Sequence, residues 1–387
     1  MSNANASFRL PPPAGGHVDV LIVAGEHSGD EHAARMVREA RAAQPSLVFA
    51  ALGGPQLAAA GAQLLHDMTS SSVVGLVEVL KNYPFFKALF AETLRWIAEH
   101  KPTAVCFVDY PGLNLRLAAA LRERGISRKG GGRVRTLFYI SPQIWAWKAK
   151  RRFTMARDLD AMAVIFPFEP ACYSDTSLPL EFVGHPFVAP DYRSPVKYDP
   201  NGPILLLPGS RKQAVGRIFP VLLAGFRAFG RREAVVLYPS AEILDVLRAT
   251  VPPSNVQLLQ INEGRSAREP IAASAVLTSS GTMSMHCALA AIPGAIAYRA
   301  NPATYVLGRM LVKVEYLGIA NLLLGEPMYP EYIQNAATPA ALAKELRAAT
   351  EDLARRERTI AQADRLRTLL RVTASGSAAQ WLLRQIG

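Results

Sequence analysis

Leu205-Leu206-Leu207-Pro208-Gly209-Ser210-Arg211 is an apolar run that stops at small residues and leads into a stretch that reads as a helix. Thr278-Ser279-Ser280-Gly281-Thr282 repeats the pattern about seventy residues later. A parallel α/β sheet ends its strands in this way and turns backbone N–H groups towards an anion. Arg211 adds a planar guanidinium that forks onto phosphate oxygens, and Ser210, Ser280 and Thr282 bring hydroxyls to the same side. Two such loops in one half of a chain point to a nucleoside-diphosphate ligand. The plainer reading is a pair of ordinary strand-to-helix turns, in which small residues are common.

The same alternation extends outward in both directions. The first half reads as strands at 18–24, 47–52, 104–108, 135–140, 164–166 and 181–183, with helices at 30–43, 88–100 and 115–124 between them. Strand and helix in turn predict a doubly wound parallel sheet. Five prolines between Gly184 and Pro203 mark a connection. A second α/β alternation follows, with strands from Ile204 and at 234–238, 256–259, 275–278 and 295–298. At 387 residues the chain exceeds the usual limit for one core, so two domains are expected. The predicted boundaries are a disordered leader at 1–17, a first Rossmann-like domain at 18–190, a linker at 191–203, a second Rossmann-like domain at 204–355, and C-terminal helices at 356–387 that pack back on the first domain.

Composition narrows the partners. A formal charge of +12 and a pI near 9.8 ask for an acidic one. The basic clusters at 128–135 and 148–152 are short and separate, and no nucleic-acid-reading module is recognisable, so anionic lipid or a phosphorylated substrate fits at least as well. No run of about twenty apolar residues is free of charges, and residues 1–16 lack the apolar centre of a signal peptide, which predicts a cytoplasmic protein. Cys106, Cys172 and Cys287 are widely spaced and read as buried thiols, giving no disulfide framework and no structural zinc. The apolar, aromatic segment from Val73 to Trp96, with Phe85 and Phe86 between Lys81 and Lys87, fits either a membrane-interface element or a buried helix pair.

Two carboxylates stand where ligands bind in open α/β sheets. Glu26 lies in Ala24-Gly25-Glu26-His27-Ser28-Gly29-Asp30, after the first strand, while Asp30 is expected to cap the helix that follows. Asp109 ends the strand at 104–108 beside a hydrophobic wall, which suits a general base for a hydroxyl nucleophile, with Asn114 left to cap the next helix. Tyr139-Ile140-Ser141-Pro142-Gln143-Ile144-Trp145-Ala146-Trp147 places two tryptophans in a loop, an arrangement that suits a sugar face or an acyl chain.

The motifs at 24–30, 109–114 (Asp-x-Pro-x-x-Asn), 139–147, 183–186 (Val-Gly-His-Pro), 207–211, 280–282 and 331–334 (Glu-x-x-Gln) resemble, in the same order, those of the lipid-A-disaccharide synthase family, from residue 18 onward. The resemblance implies two Rossmann-like domains of the B-type glycosyltransferase fold facing each other across a cleft. It implies an inverting enzyme without metal or other cofactor, peripheral on the cytoplasmic face of the inner membrane, that joins UDP-2,3-diacylglucosamine to 2,3-diacylglucosamine 1-phosphate and releases UDP. Asp109 is then the first candidate for the base and Glu26 the second. The donor side would be Gly209, Ser210, Arg211, Ser280, Gly281, Thr282, His286, Asn321 and Gln334. The acceptor or lipid side would be Ser141, Trp145, Trp147, Phe85 and Phe86. A homodimer is a further expectation, and His185 fits either a hydrogen bond across the cleft or a structural role.

Four positions depart from the family pattern. His286 stands in place of a glutamate that accepts from the nucleotide ribose, Ala214 in place of an acidic residue, Gly112 in place of a second aspartate, and Ala320 in place of a proline. A relative using another nucleotide-sugar or acceptor, and a homologue that binds lipid or nucleotide without turnover, are the competing readings. Intact Asp109 and Arg211 speak against the second.

Overall fold

The computed structural model describes residues 8–69, 83–230, 232–261, 269–301, 305, 314–371 and 376–387. They form two compact units, Met1–Pro186 with Val372–Gly387 (unit 1) and Phe187–Arg371 (unit 2).

Unit 1 is built on a seven-stranded parallel sheet. Its strands are β1 (Val20–Ala24), β2 (Phe49–Gly53), β3 (Gln63–Asp67), β4 (Ala104–Val108), β5 (Arg135–Tyr139), β6 (Ala161–Val164) and β7 (Leu180–Phe182), in the spatial order β3-β2-β1-β4-β5-β6-β7. Every residue of β1 and β4 is buried, which is why these segments are continuous apolar runs: helices cover both faces of a parallel sheet. The order of strands reverses between β1 and β4, which pair from Val20↔Ala104 to Ala24↔Val108. That reversal leaves a crevice beyond the carboxyl ends of the two strands.

Unit 2 repeats the design on β9 (Ile204–Leu207), β10 (Ala234–Tyr238), β11 (Val256–Gln260), β13 (Ala275–Thr278), β14 (Gly294–Tyr298) and β15 (Glu331–Ile333), in the order β11-β10-β9-β13-β14-β15. Its reversal falls between β9 and β13, whose last residues, Leu207 and Thr278, are direct partners. The long helix Lys212–Phe229 packs Val215, Phe219, Leu222 and Phe226 into the core of this unit.

Three expected boundaries are corrected. Residues 8–14 are not part of a disordered leader. Leu10 is buried, its N–H donates to Glu92 Oε1 at 2.9 Å, and the indole of Trp96 donates to the carbonyl of Pro11 at 2.8 Å. A Pro11-Pro12-Pro13 run has carbonyls but no N–H groups, so it is suited to accept from side chains without forming a strand of its own. Residues 1–7 lie outside the described residues, as do 70–82, which include the first ten residues of the apolar segment.

The linker at 191–203 contains β8 (Val196–Tyr198), paired in parallel with β12 (Ile271–Ala273) inside unit 2. Pro195 tolerates this because it lends only its carbonyl, which accepts from Ile271 N at 2.9 Å. The helix Leu353–Leu370 crosses the predicted boundary at 355 and belongs to unit 2, with Ala363, Leu366 and Leu370 buried. It is the helix Ala378–Ile386 that returns to unit 1, where Trp381 is fully buried, Arg384 pairs with Glu181 at 2.5 Å and Arg135 donates to the backbone of Gln385. No described helix is long and apolar enough to cross a membrane.

Candidate active site

In unit 1 the strand reversal carries both candidate carboxylates. Glu26 is the N-cap position of the helix His27–Ala43, with an extended backbone and no side-chain cap bond. Asp109 follows β4 directly. Asp109 and Tyr110 have φ of 47° and 48° in succession, left-handed values that non-glycine residues rarely take and that each cost about 1–3 kcal/mol. A residue before proline ordinarily prefers extended backbone, yet Tyr110 precedes Pro111. The turn is braced from below. Asn114 is buried, and its side-chain amide donates to the carbonyls of Asp109 at 2.7 Å and Val23 at 3.3 Å. Asn114 is therefore not the expected helix cap but a strut between the ends of β1 and β4. The Tyr110 ring lies against Gly25, where an added Cβ would meet ring atoms at 2.3–2.7 Å, so glycine is required there.

The Asp109 carboxyl is pushed up from its usual 3.8 to about 6, by burial first and then by the nearby charge of Glu26, with the N–H of Tyr110 acting in the opposite sense. Such a group is ionised at neutral pH yet basic enough to take a proton. Asp30 is buried and does not cap its own helix. Its carboxylate accepts from Gly54, Gln56 and Leu57 N–H at 2.8, 2.9 and 3.2 Å, which caps the short helix Pro55–Ala59 instead.

The expected acceptor-side residues separate. Ser141 is buried and bonded to Tyr173 Oη at 2.7 Å, so it is part of the packing. Trp145 sits edge-on to Phe166 and Phe168, whose rings stack 5.8 Å apart. Phe85 is half-buried in an aromatic cluster with Phe8 and His66, at 5.5 and 5.6 Å. Phe86 is half-buried beside it, and Trp147 is 44% exposed. Behind the loop is a group the sequence reading missed. The buried Glu169 accepts from the backbone N–H groups of Ile165 and Phe166 at 3.2 and 3.0 Å, and burial pushes its carboxyl up to about 8.

In unit 2 the strand reversal places two helix N-termini side by side. Arg211 is the N-cap of Lys212–Phe229 and Gly281 the N-cap of Thr282–Leu289, and neither position has a side-chain cap bond. Their first N–H groups therefore stay available to an anion. Gly209 has φ of 106°, and a Cβ there would stand 3.2 Å from Ser279 Oγ, so glycine both makes the turn and lets the two loops approach. Ser210, Arg211, Gly281 and Thr282 are exposed and Ser280 is partly so.

Other expected donor-side residues have partners within the unit. Asn321 is fully buried; its Oδ1 accepts from Tyr329 N and its Nδ2 donates to Tyr329 O and to Glu331, while Glu331 also accepts from Leu317 and Gly318 N–H. This corrects Asn321 from a donor contact to a staple beneath the β15 edge. Gln334 clasps both backbone groups of Ala300, at 2.9 and 3.2 Å. His286 is 7% exposed, its Nδ1 lies 2.8 Å from Tyr192 Oη, and Phe187 lies across its ring at 4.0 Å. Phe187, Tyr192, His286, Leu289 and Arg367 line a small pocket of unit 2. Nothing in the sequence pattern marked Tyr192, which is about ninety residues away.

Comparison with known proteins extends these observations over the whole chain. Residues 20–384 match the family described as LpxB, lipid-A-disaccharide synthetase. A lipid-A-disaccharide synthase of Geobacter metallireducens is 34% identical over 368 residues, covering 91% of this chain and 92% of that one. Lipid-A-disaccharide synthase 1 of Legionella pneumophila is 37% identical over 333 residues, covering 81% and 83%. Among solved structures, a putative UDP-N-acetylglucosamine 2-epimerase from Listeria monocytogenes aligns with a TM-score of 0.61 at 11% identity, covering 95% of each chain. The glycotransferase of kitacinnamycin aligns at 0.57 and 15% identity, covering 96% of this chain and 100% of that one. At such identities the structural likeness establishes the fold, that of B-type glycosyltransferases.

Proposed function

Because the chain belongs to the lipid-A-disaccharide synthase family, we propose how its residues divide the work of that reaction. The protein is a glycosyltransferase of lipid A disaccharide formation. Unit 2 takes the UDP-sugar donor: Arg211 and the open N–H groups after Gly209 and Ser280 hold the diphosphate and receive the charge that grows on it as the sugar leaves. Unit 1 takes the acylated glucosamine phosphate acceptor. Asp109 accepts the proton of its hydroxyl as the oxygen bonds to the anomeric carbon and the bond from that carbon to the β-phosphate oxygen breaks, releasing UDP. Attack opposite the leaving group inverts the anomeric centre.

The observation that carries this assignment is the pair of uncapped helix N-termini at the ends of hydrogen-bonded neighbours β9 and β13. Glu26, on the same edge as Asp109, orients the acceptor hydroxyl. The test is a transfer assay with UDP-2,3-diacylglucosamine and 2,3-diacylglucosamine 1-phosphate, following UDP release and disaccharide together, alongside calorimetric titration with UDP and other nucleoside diphosphates. Stoichiometric release with a preference for UDP is expected. Tighter binding of another nucleotide with no disaccharide formed would give precedence to a relative acting on a different nucleotide-sugar.

A further inference from the structure

The basic, aromatic surface from Trp147 to Phe153 has no part in the chemistry above. Trp147 and Phe153 are 44% and 48% exposed, six residues apart. Between them stand Lys148, Lys150, Arg151 and Arg152, with no acidic residue. Both rings carry cations: Lys148 Nζ lies 4.3 Å and Arg151 Cζ 5.4 Å from the centre of Trp147, and Arg152 Cζ 4.3 Å from that of Phe153. Arg152 is paired with Asp175 through two 2.6 Å contacts beside the start of the helix Arg151–Asp158, while Lys148 and Lys150 are exposed and Arg151 partly so.

The segment follows β5, the hydrogen-bonded neighbour of β4, and so emerges from the sheet edge that carries Asp109. An amphipathic ring beside its own cation matches the boundary of a bilayer, where the indole sits at headgroup depth and the ammonium or guanidinium meets lipid phosphate. A single-stranded nucleic acid would need open ring faces on which to stack bases, and here cations already lie over both rings.

We propose that the segment from Trp147 to Phe153 docks unit 1 on an anionic lipid surface, with the two rings in the headgroup region and Lys148, Lys150 and Arg151 at the lipid phosphates. This rests on the reading of an acylated acceptor, to which it adds the surface through which the acceptor-binding unit meets the bilayer.

Sedimentation of the full chain with phosphatidylcholine vesicles, with and without phosphatidylglycerol and in the absence of substrate, tests it. Binding should require phosphatidylglycerol and weaken as salt rises. The triple variant Lys148→Ser, Lys150→Ser, Arg151→Ser should lose about fivefold in partitioning per cation, on the order of a hundredfold in all. Phe153→Ser alone should lose severalfold. Both should keep the parent melting temperature and UDP affinity, and both should keep turnover on acceptor in non-ionic detergent micelles. Unchanged sedimentation of both variants would overturn the proposal, as would loss of binding to a DNA duplex with vesicle binding intact. Absence of micellar turnover in the parent would instead count against the glycosyltransferase reading, and leaves the vesicle result interpretable by itself.

Discussion

The hydroxyl of Tyr192 lies 2.8 Å from Nδ1 of His286, with the two rings stacked at 10°. One imidazole nitrogen thus already has a partner within unit 2. A glutamate at 286 would have two oxygens, one for Tyr192 and one for the nucleotide, a gain of about one hydrogen bond. At roughly 0.5–1.5 kcal/mol, His286→Glu should tighten UDP binding by about twofold to tenfold. Tyr192→Phe should move affinity in the same direction by freeing Nδ1. Calorimetric titration of the three proteins measures both; weaker binding in His286→Glu would mean that the pocket requires histidine.

Asp109 sets two pH dependences of opposite sense. As a base it must be ionised, so kcat/KM should rise with pH through about 6 and then level. As a folded-state group with a raised pKa it lends stability that is fully present below its usual 3.8 and lost as pH climbs through about 6. Asp109→Asn should therefore cut turnover by roughly 10²–10⁴ and raise thermal stability at pH 7 by up to about 3 kcal/mol. Calorimetric melting beside a transfer assay reads both. A variant that is slower and also less stable would assign Asp109 to the scaffold.

Arg211 caps its helix without a bond from its own side chain, so Arg211→Ala should leave the melting temperature almost unmoved. Loss of a charge-assisted contact should weaken UDP binding by about 10- to 100-fold and slow transfer by roughly 10²–10³. Arg211→Lys should recover part of the affinity. Parent-like binding in the alanine variant would exclude Arg211 from the donor site.

Glu169 is a purely structural case. Its carboxyl, pushed up to about 8 by burial, favours the fold while neutral, so stability should fall with rising pH from about 4.5 and level above about 8. Glutamine keeps an oxygen to accept from Ile165 and Phe166 and does not titrate. Thermal melts of Glu169→Gln at pH 5, 7 and 9 should show a shallower decline than the parent. An equal slope would place the titration elsewhere.

The strands that flank the two reversals were legible in the sequence because buried parallel strands are continuous apolar runs, and because the turns after β1, β4, β9 and β13 concentrate Gly, Ser, Asp and Arg. Of the edge strands, β7 and β11 were read, whereas β3, β8, β12 and β15 were not. β3 is Gln-Leu-Leu-His-Asp, and β8, β12 and β15 are three residues each, too short for a period to register. Partner identity was also hidden. Asp30, Asn114 and Asn321 carry the residue types of caps and ligand contacts, but their hydrogen bonds go to backbone that tertiary folding brings near, so pattern alone assigned them to the wrong tasks. His286 was visible as a departure, whereas Tyr192, its neighbour in space, carried no local signal.

The return of Ala378–Ile386 to unit 1 has a consequence for how the chain is made. Unit 1 waits, during synthesis on the ribosome, for a helix translated only after all of unit 2, while unit 2 emerges as one continuous segment able to close first. Until then β6 and the helix His27–Ala43 present an apolar seat that Trp381 and Leu382 later fill.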